Sequence, residues 1–118
     1  MQNFECDNKV SIWLGHEMID PKIDVLKKQC GVTSYDIDSQ ECIISEDREL
    51  VSISELIEQL SYSECFLDKA VSNAEEIGII KARWVFCQFD FAYDSNRAKK
   101  AKDNPVFLGV YEYEDDEL

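Results

Sequence analysis

Residues 79–93, IIKARWVFCQFDFAY, carry the strongest strand pattern in the chain. Trp84 to Cys87 are four consecutive apolar residues, a run typical of a strand that is buried on both faces of a sheet. From Phe89 onward apolar and polar residues alternate, so only one face stays apolar. The pattern therefore predicts a strand at the centre of a sheet.

Further strands are predicted on either side of this segment in the chain. Lys9 to Gly15, KVSIWLG, alternates apolar and polar residues, and its final glycine can end a strand. Asn104 to Tyr113, NPVFLGVYEY, has a proline at its start, where the missing amide donor is tolerated. We expect this last strand to pair antiparallel with the central strand, with the bases of residues 94–103 at a solvated hairpin tip. Residues 32–50 read as a long loop with a short strand near residues 42–45.

Helix signals lie between the first strand and the central strand. Asp20-Pro21 is an N-cap followed by a favoured first helical residue, and Gly31 can end that helix. Ser52-Ile53-Ser54-Glu55 is a capping box, and Ser61-Tyr62-Ser63-Glu64 repeats its pattern. We therefore predict two consecutive helices that bend near Ser61 and end at Gly78. Their apolar stripes are Ile53, Leu56, Ile57 and Leu60, then Phe66, Ala70, Ala74 and Ile77.

The predicted order is strand, helix, acidic loop, two helices, strand, strand. This order is typical of an α+β fold, a small antiparallel β-sheet with helices packed mainly on one face. A chain of 118 residues makes one domain with one core, which also buries Trp13 and Trp84. Residues 1–8 and 115–118 are expected to fray.

The charge excludes several classes of partner. The formal net charge is -13, from 25 acids and 12 bases, which disfavours direct binding of nucleic acid or of an anionic membrane. No leader sequence is expected from MQNFECDNK, and no apolar run approaches the ~20 residues of a membrane span. Five cysteines without a CxxC spacing, with Cys65 and Cys87 in apolar patterns, fit the cytoplasm. The acidity means either plain solubility or a basic partner.

Candidate catalytic groups are few. His16 is the one histidine, and no glycine-rich phosphate loop or zinc spacing accompanies it. Asp36 and Asp38 resemble part of a calcium loop, yet the required glycine and closing glutamate are absent. We expect no enzyme activity, cofactor, metal or small-molecule substrate. The alternative is a small enzyme that uses His16 with a cysteine or acids.

The acids are concentrated in one part of the sequence. Between Lys28 and Lys69 the sole base is Arg48, while ten residues are acidic. Segregated charge creates a directional field that speeds association with a basic partner. Nucleases are such partners, because their own surfaces must attract phosphate.

Five segments together resemble the bacterial immunity protein 22 family. They are VSIWLG at 10–15, SYDID at 34–38, ELIEQLSYSECFLDK at 55–69, WVFCQFDFAYD at 84–94 and VFLGVYEYE at 106–114. Cys65 stands where the family pattern has serine. The resemblance implies a cytoplasmic antidote of a contact-dependent growth-inhibition system. Such proteins bind the C-terminal domain of a cognate toxin, often a nuclease that cleaves RNA.

The charge and the resemblance together predict a toxin-binding surface that pairs with the toxin's Lys and Arg residues in a 1:1 complex. Tyr35 is the predicted aromatic anchor. The predicted acidic contacts are Asp36, Asp38, Glu41, Glu46, Asp47, Glu49, Glu55 and Glu58. An alternative with the same charge is a nucleic-acid mimic that inhibits a host DNA-binding protein.

Overall fold

The computed structural model describes residues 4–18, 24–33, 35–94 and 105–114. These described residues contain six strands and three α-helices. They are β1 (Glu5–Gly15), α1 (Val25–Gln29), β2 (Gln40–Ile44), β3 (Val51–Ser52), α2 (Ile53–Ile57), α3 (Leu67–Glu76), β4 (Lys81–Ala82), β5 (Trp84–Phe91) and β6 (Val106–Glu112). Four strands form one antiparallel sheet in the order β2-β5-β1-β6, and β3 pairs with β4. The α+β prediction is confirmed.

The predicted central strand is confirmed as β5. It pairs with β1 on one side and β2 on the other, with Cys87 opposite Ile12 and Phe86 opposite Cys42. Its residues 84–88 are all buried, because both faces of the sheet are covered there. The short strand expected near residues 42–45 is confirmed as β2, at the edge of the sheet.

The predicted hairpin of β5 and β6 is wrong. β1 lies between them and pairs antiparallel with both, so β5 and β6 run parallel to each other. β1 is buried on both faces from Val10 to Leu14, which is typical of a strand in the middle of a sheet. If β5 and β6 paired with each other, β1 could not lie between them. Parallel strands cannot be joined by a tight hairpin turn, so the prediction of a hairpin between β5 and β6 fails. Residues 95–104 themselves lie outside the described residues.

The two faces of the sheet carry two separate cores. α2 and α3 cover the face that presents Val10, Ile12 and Leu14. On the opposite face α1 packs on an aromatic cluster that includes both tryptophans, which confirms them as core residues. Gly15 permits this packing, because a Cβ there would lie 1.9 Å from the Trp84 ring.

The start of the sheet differs from the prediction. β1 begins at Glu5, and the Phe4 side chain is buried against Phe91 and Tyr93. Residues 4–8 therefore belong to the folded sheet, and the prediction that they fray is wrong. Residues 115–118 lie outside the described residues.

The helix starts were predicted with mixed success. Ser52 caps α2 as predicted, since its hydroxyl accepts from the Glu55 amide at 3.4 Å. The second capping box, at Ser61, is wrong, because α3 begins at Leu67 and its N-cap Phe66 makes no side-chain cap. In α1 the N-cap is Asp24, and the expected start at Asp20-Pro21 lies outside the described residues.

The end of α3 was predicted correctly at Gly78 and wrongly at Ile77. Gly78 follows the helix with a φ of 82°, a left-handed conformation that suits glycine. Ala70 and Ala74 are buried, but Ile77 is 54% exposed, so its expected place in the core is wrong. The helix has already ended at Glu76, and Ile77 therefore no longer follows the buried stripe.

Candidate protein-binding surface

β2 forms one edge of the sheet, and the predicted acidic contacts gather around it. Two 3-10 turns, Ile37–Ser39 and Glu46–Arg48, flank the strand, and α2 follows soon after. Glu41 of β2 bonds to Ser61, which places the end of α2 beside this edge. We call these residues the acidic edge: Asp36, Asp38, Glu41, Glu46, Asp47, Glu49, Glu55 and Glu58.

The acidic edge is an extended surface made of separate groups. Asp36 and Asp38 precede β2, while residues 46–49 follow it at the other end, and a strand of this length spans about 13 Å. Glu55 and Glu58 are exposed on α2, on the side opposite its buried residues. The acids therefore lie around the β2 edge without forming one cluster.

The negative charge of the acidic edge is uncompensated in the described part of the chain. None of its eight carboxylates forms an ion pair with a described base. The ion pair between Lys9 and Glu112, at 2.7 Å, joins β1 to β6 on the opposite half of the sheet. Arg83 lies nearby, but its guanidinium donates to the backbone carbonyls of His16 and Arg48 at 2.8 and 2.7 Å.

Two of these acids also hold the structure together. Asp36 caps the first 3-10 turn, accepting from the Asp38 amide at 3.0 Å and the Ser39 hydroxyl at 3.1 Å. Glu41 is half-buried and accepts from both the amide and the hydroxyl of Ser61, at 2.8 and 2.5 Å. Within the described residues the other six carboxylates accept no hydrogen bond, and all six are exposed. These six have the geometry of contact residues.

Tyr35 does not project as a free aromatic anchor. It is half-buried against the α1 core, and its hydroxyl donates to the Asp24 carboxylate, which caps α1. The exposed apolar residues of this side are instead Ile37 (66%), Ile44 (44%) and Leu50 (45%). From the sequence, Ile37 and Leu50 were predicted in a long loop and Ile44 in the short strand near residues 42–45, and none of the three was predicted as a contact.

The combination of apolar and acidic groups has the composition of a binding surface. Along β2, Ile43 packs toward the α2 core while Cys42 and Ile44 are exposed. Charged residues precede and follow them at both ends of the strand. Protein interfaces commonly have such an apolar centre with a polar rim.

The candidate catalytic groups are not brought into a recognisable site. Burial raises the pKa of the Cys87 thiol, and the nearby Glu41 charge raises it further, which is the opposite of what a nucleophile needs. Cys65 is exposed although it lies in an apolar sequence pattern. His16 is half-buried at the end of β1. Among the described residues no three histidines, cysteines or acids are placed to hold a metal ion.

Comparisons with known proteins add no assignment. No family model matches the chain, and no curated protein or solved structure matches it either. The resemblance to the immunity protein 22 family therefore stays a prediction. Of the described helices, none is long and apolar enough to cross a membrane.

Proposed function

We propose that this protein is a cytoplasmic immunity protein that binds a basic nuclease toxin domain one to one and blocks it. The observation that supports this most is the acidic edge. Its carboxylates have no ion pair among the described residues, and they lie beside exposed Ile37, Ile44 and Leu50. A partner with Lys and Arg around an apolar centre would complement this surface.

The two kinds of residue would act on different steps of binding. Exposed carboxylates steer a basic partner and raise the association rate. Apolar residues that become fully desolvated at the centre of an interface slow dissociation. Protection from a toxin made by the same cell needs nanomolar to picomolar affinity, about −12 to −16 kcal/mol.

Inhibition would follow from competition for the same basic groups. A nuclease binds its substrate through Lys and Arg residues that contact phosphates. If the carboxylates of Asp38, Glu46 and Glu49 pair with those groups, the substrate is excluded. The protein itself supplies no catalytic group in this mechanism.

The test is co-expression with the C-terminal domain of any large secreted effector that proves to be encoded beside this gene. We expect the chain to restore growth and to form a 1:1 complex with that domain. A triple variant, Asp38→Lys with Glu46→Lys and Glu49→Lys, should lose protection while its thermal unfolding stays cooperative. Failure of the unaltered chain to protect against any such domain would refute the function.

A matched control separates the surface from net charge. Asp7, Glu76 and Glu114 are exposed acids on the half of the molecule that carries α3 and β6. Replacing all three with lysine makes the same change in charge and should leave protection intact. Equal loss in both triple variants would mean that total charge matters and that the acidic edge is not the binding site. Capture of many host DNA-binding proteins would favour the nucleic-acid mimic.

A further inference from the structure

A cavity of about 280 Å³ lies where β5 ends and β1 begins, next to the 3-10 turn Ile37–Ser39. Its lining includes the acids Glu5, Asp36 and Asp90 together with Gln88 and Tyr35. Asp36 and Asp90 are exposed, whereas Gln88 is buried. The cavity therefore has carboxylates at its rim and an amide in its wall.

Gln88 provides an acceptor that has no partner. The residue is 1% exposed, and its Nε2 donates to the backbone carbonyl of Asp36 at 2.7 Å. That bond fixes which arm of the amide is nitrogen, so the other arm is the carbonyl Oε1. Among the described residues Oε1 accepts no hydrogen bond. An unpaired buried acceptor of this kind would be stabilised by a donor that reaches it from the cavity.

The two rim carboxylates are held in place by the fold. Asp90 has a φ of 55°, and its Oδ1 accepts from the Asn8 amide at 3.0 Å and the Tyr113 hydroxyl at 2.6 Å. Asp36 is held by its own turn. Neither carboxylate has a cationic partner among the described residues. Strained backbone that fixes a charged group in this way is common at functional sites.

We propose that this cavity receives one arginine side chain of the basic partner; the identity of that partner rests on the proposed function. A guanidinium has five donors in a plane, which suits acceptors on Gln88, Asp36 and Asp90. The volume lies below the ~300–1,000 Å³ of pockets for drug-sized ligands, so it suits a single side chain.

The experiment uses the isolated full chain and needs no toxin. N-acetyl-L-arginine amide is titrated into the protein while backbone amide shifts are followed by NMR. We expect saturable shifts at Tyr35, Asp36, Gln88 and Asp90. N-acetyl-L-citrulline amide, which has nearly the same shape without the charge, should bind at least about tenfold more weakly.

Conservative variants test the rim. Asp90→Asn keeps Oδ1 as the acceptor of both native bonds and removes the charge. Asp36→Asn keeps Oδ1 as the acceptor for the Asp38 amide, and the new amide nitrogen can donate to the Ser39 hydroxyl in place of Oδ2. Each should weaken arginine binding about tenfold. Glu76→Gln removes the same charge on α3, away from the cavity and the acidic edge, and should change binding less than about twofold. Thermal unfolding shows whether each variant is folded.

Several results would overturn the cavity assignment. They are the absence of saturable binding, equal binding of citrulline, shifts spread along the acidic edge, or equal weakening by Glu76→Gln. Protection in cells combined with no arginine binding would remove this inference and leave the proposed function standing. Arginine binding without protection would do the reverse.

Discussion

Individual carboxylates of one sequence segment have different roles. Glu41 is half-buried and bonded twice to Ser61, whereas Glu46 is exposed and accepts no hydrogen bond from a described residue. The residue type and the local charge are the same for both. What separates them is whether a donor from a distant part of the chain lies within reach. From the sequence, both were predicted to contact the toxin. In the structure Glu41 also bonds to Ser61, whereas Glu46 bonds to no described residue, so contact with a partner is the sole role assigned to Glu46.

The first prediction concerns this difference. Glu41→Ala should lower the free energy of unfolding by about 1 kcal/mol, because a hydrogen-bond network at a half-exposed site is lost. Glu46→Ala should change it by less than about 0.5 kcal/mol. Urea unfolding monitored by tryptophan fluorescence measures both. Equal effects would mean that the bonds to Ser61 add nothing to stability.

The second prediction concerns Tyr93 at alkaline pH. Its hydroxyl donates to the Cys30 carbonyl at 2.9 Å, and burial, followed by the charges of Cys30 and Asp94, raises its pKa from 10.0 to about 12. Because the folded pKa exceeds the unfolded one, stability that is present below pH 10 is lost as the pH rises through about 12. Tyrosinate absorbance of the folded protein should show a late step that Tyr93→Phe removes. An unchanged titration curve in that variant would contradict the assignment.

Secondary-structure elements follow local signals where no distant group competes. The capping pattern at Ser52 forms a real helix start, but the identical pattern at Ser61 does not. The Ser61 hydroxyl donates to the Glu41 carboxylate instead of capping a helix. Tyr62 has a left-handed φ of 60°, so the chain turns before α3 begins. Likewise, β6 follows β5 in the chain yet pairs with β1.

The third prediction tests that strand order. NMR cross-strand contacts should join Val10 to Tyr111 and Ile12 to Gly109, as the register requires. Contacts between Ile12 and Cys87 serve as the internal control for the β1–β5 pair. A hairpin of β5 and β6 would instead give contacts between those two strands. Their observation would overturn the fold described here.

The molecule as a whole separates its charge from its core. One hydrophobic core packs on each face of the sheet, and β2 is the edge strand of that packed sheet. Eight acids surround that edge, and other exposed acids, among them Asp7, Glu76 and Glu114, lie on the half with α3 and β6. Closely spaced carboxylates around the edge produce a local field that attracts a basic partner.

The fourth prediction follows from that field. The association rate of the chain with its toxin domain should fall about tenfold or more between ~0.05 M and ~0.5 M salt, because exposed charges are screened. The dissociation rate should change far less, since apolar contacts govern it. Stopped-flow mixing measures both rates. An association rate that is indifferent to salt would rule out steering by the acidic edge.

Local patterns in the sequence were enough for the α+β class, the central strand, the start of α2 and the acidic span. Each of these depends on residues within a few positions of one another, whose spacing alone sets which side is apolar or charged. The position of β1 between β5 and β6 could not be predicted from such local patterns. It depends on which strands can bury both faces at once, a competition between segments that are far apart in the chain.

The candidate binding surface was likewise predicted only in part. Its acids were predicted from the charge pattern alone, whereas Ile44 beside them was not predicted as a contact. The one polar residue in the buried part of β5, Gln88, was a visible signal that no local rule explained. Its unpaired carbonyl and the placement of Asp36 and Asp90 arise only when the turn before β2 meets the end of β5. Contacts between residues about 50 positions apart have no periodicity to read, so folding alone brings those groups together.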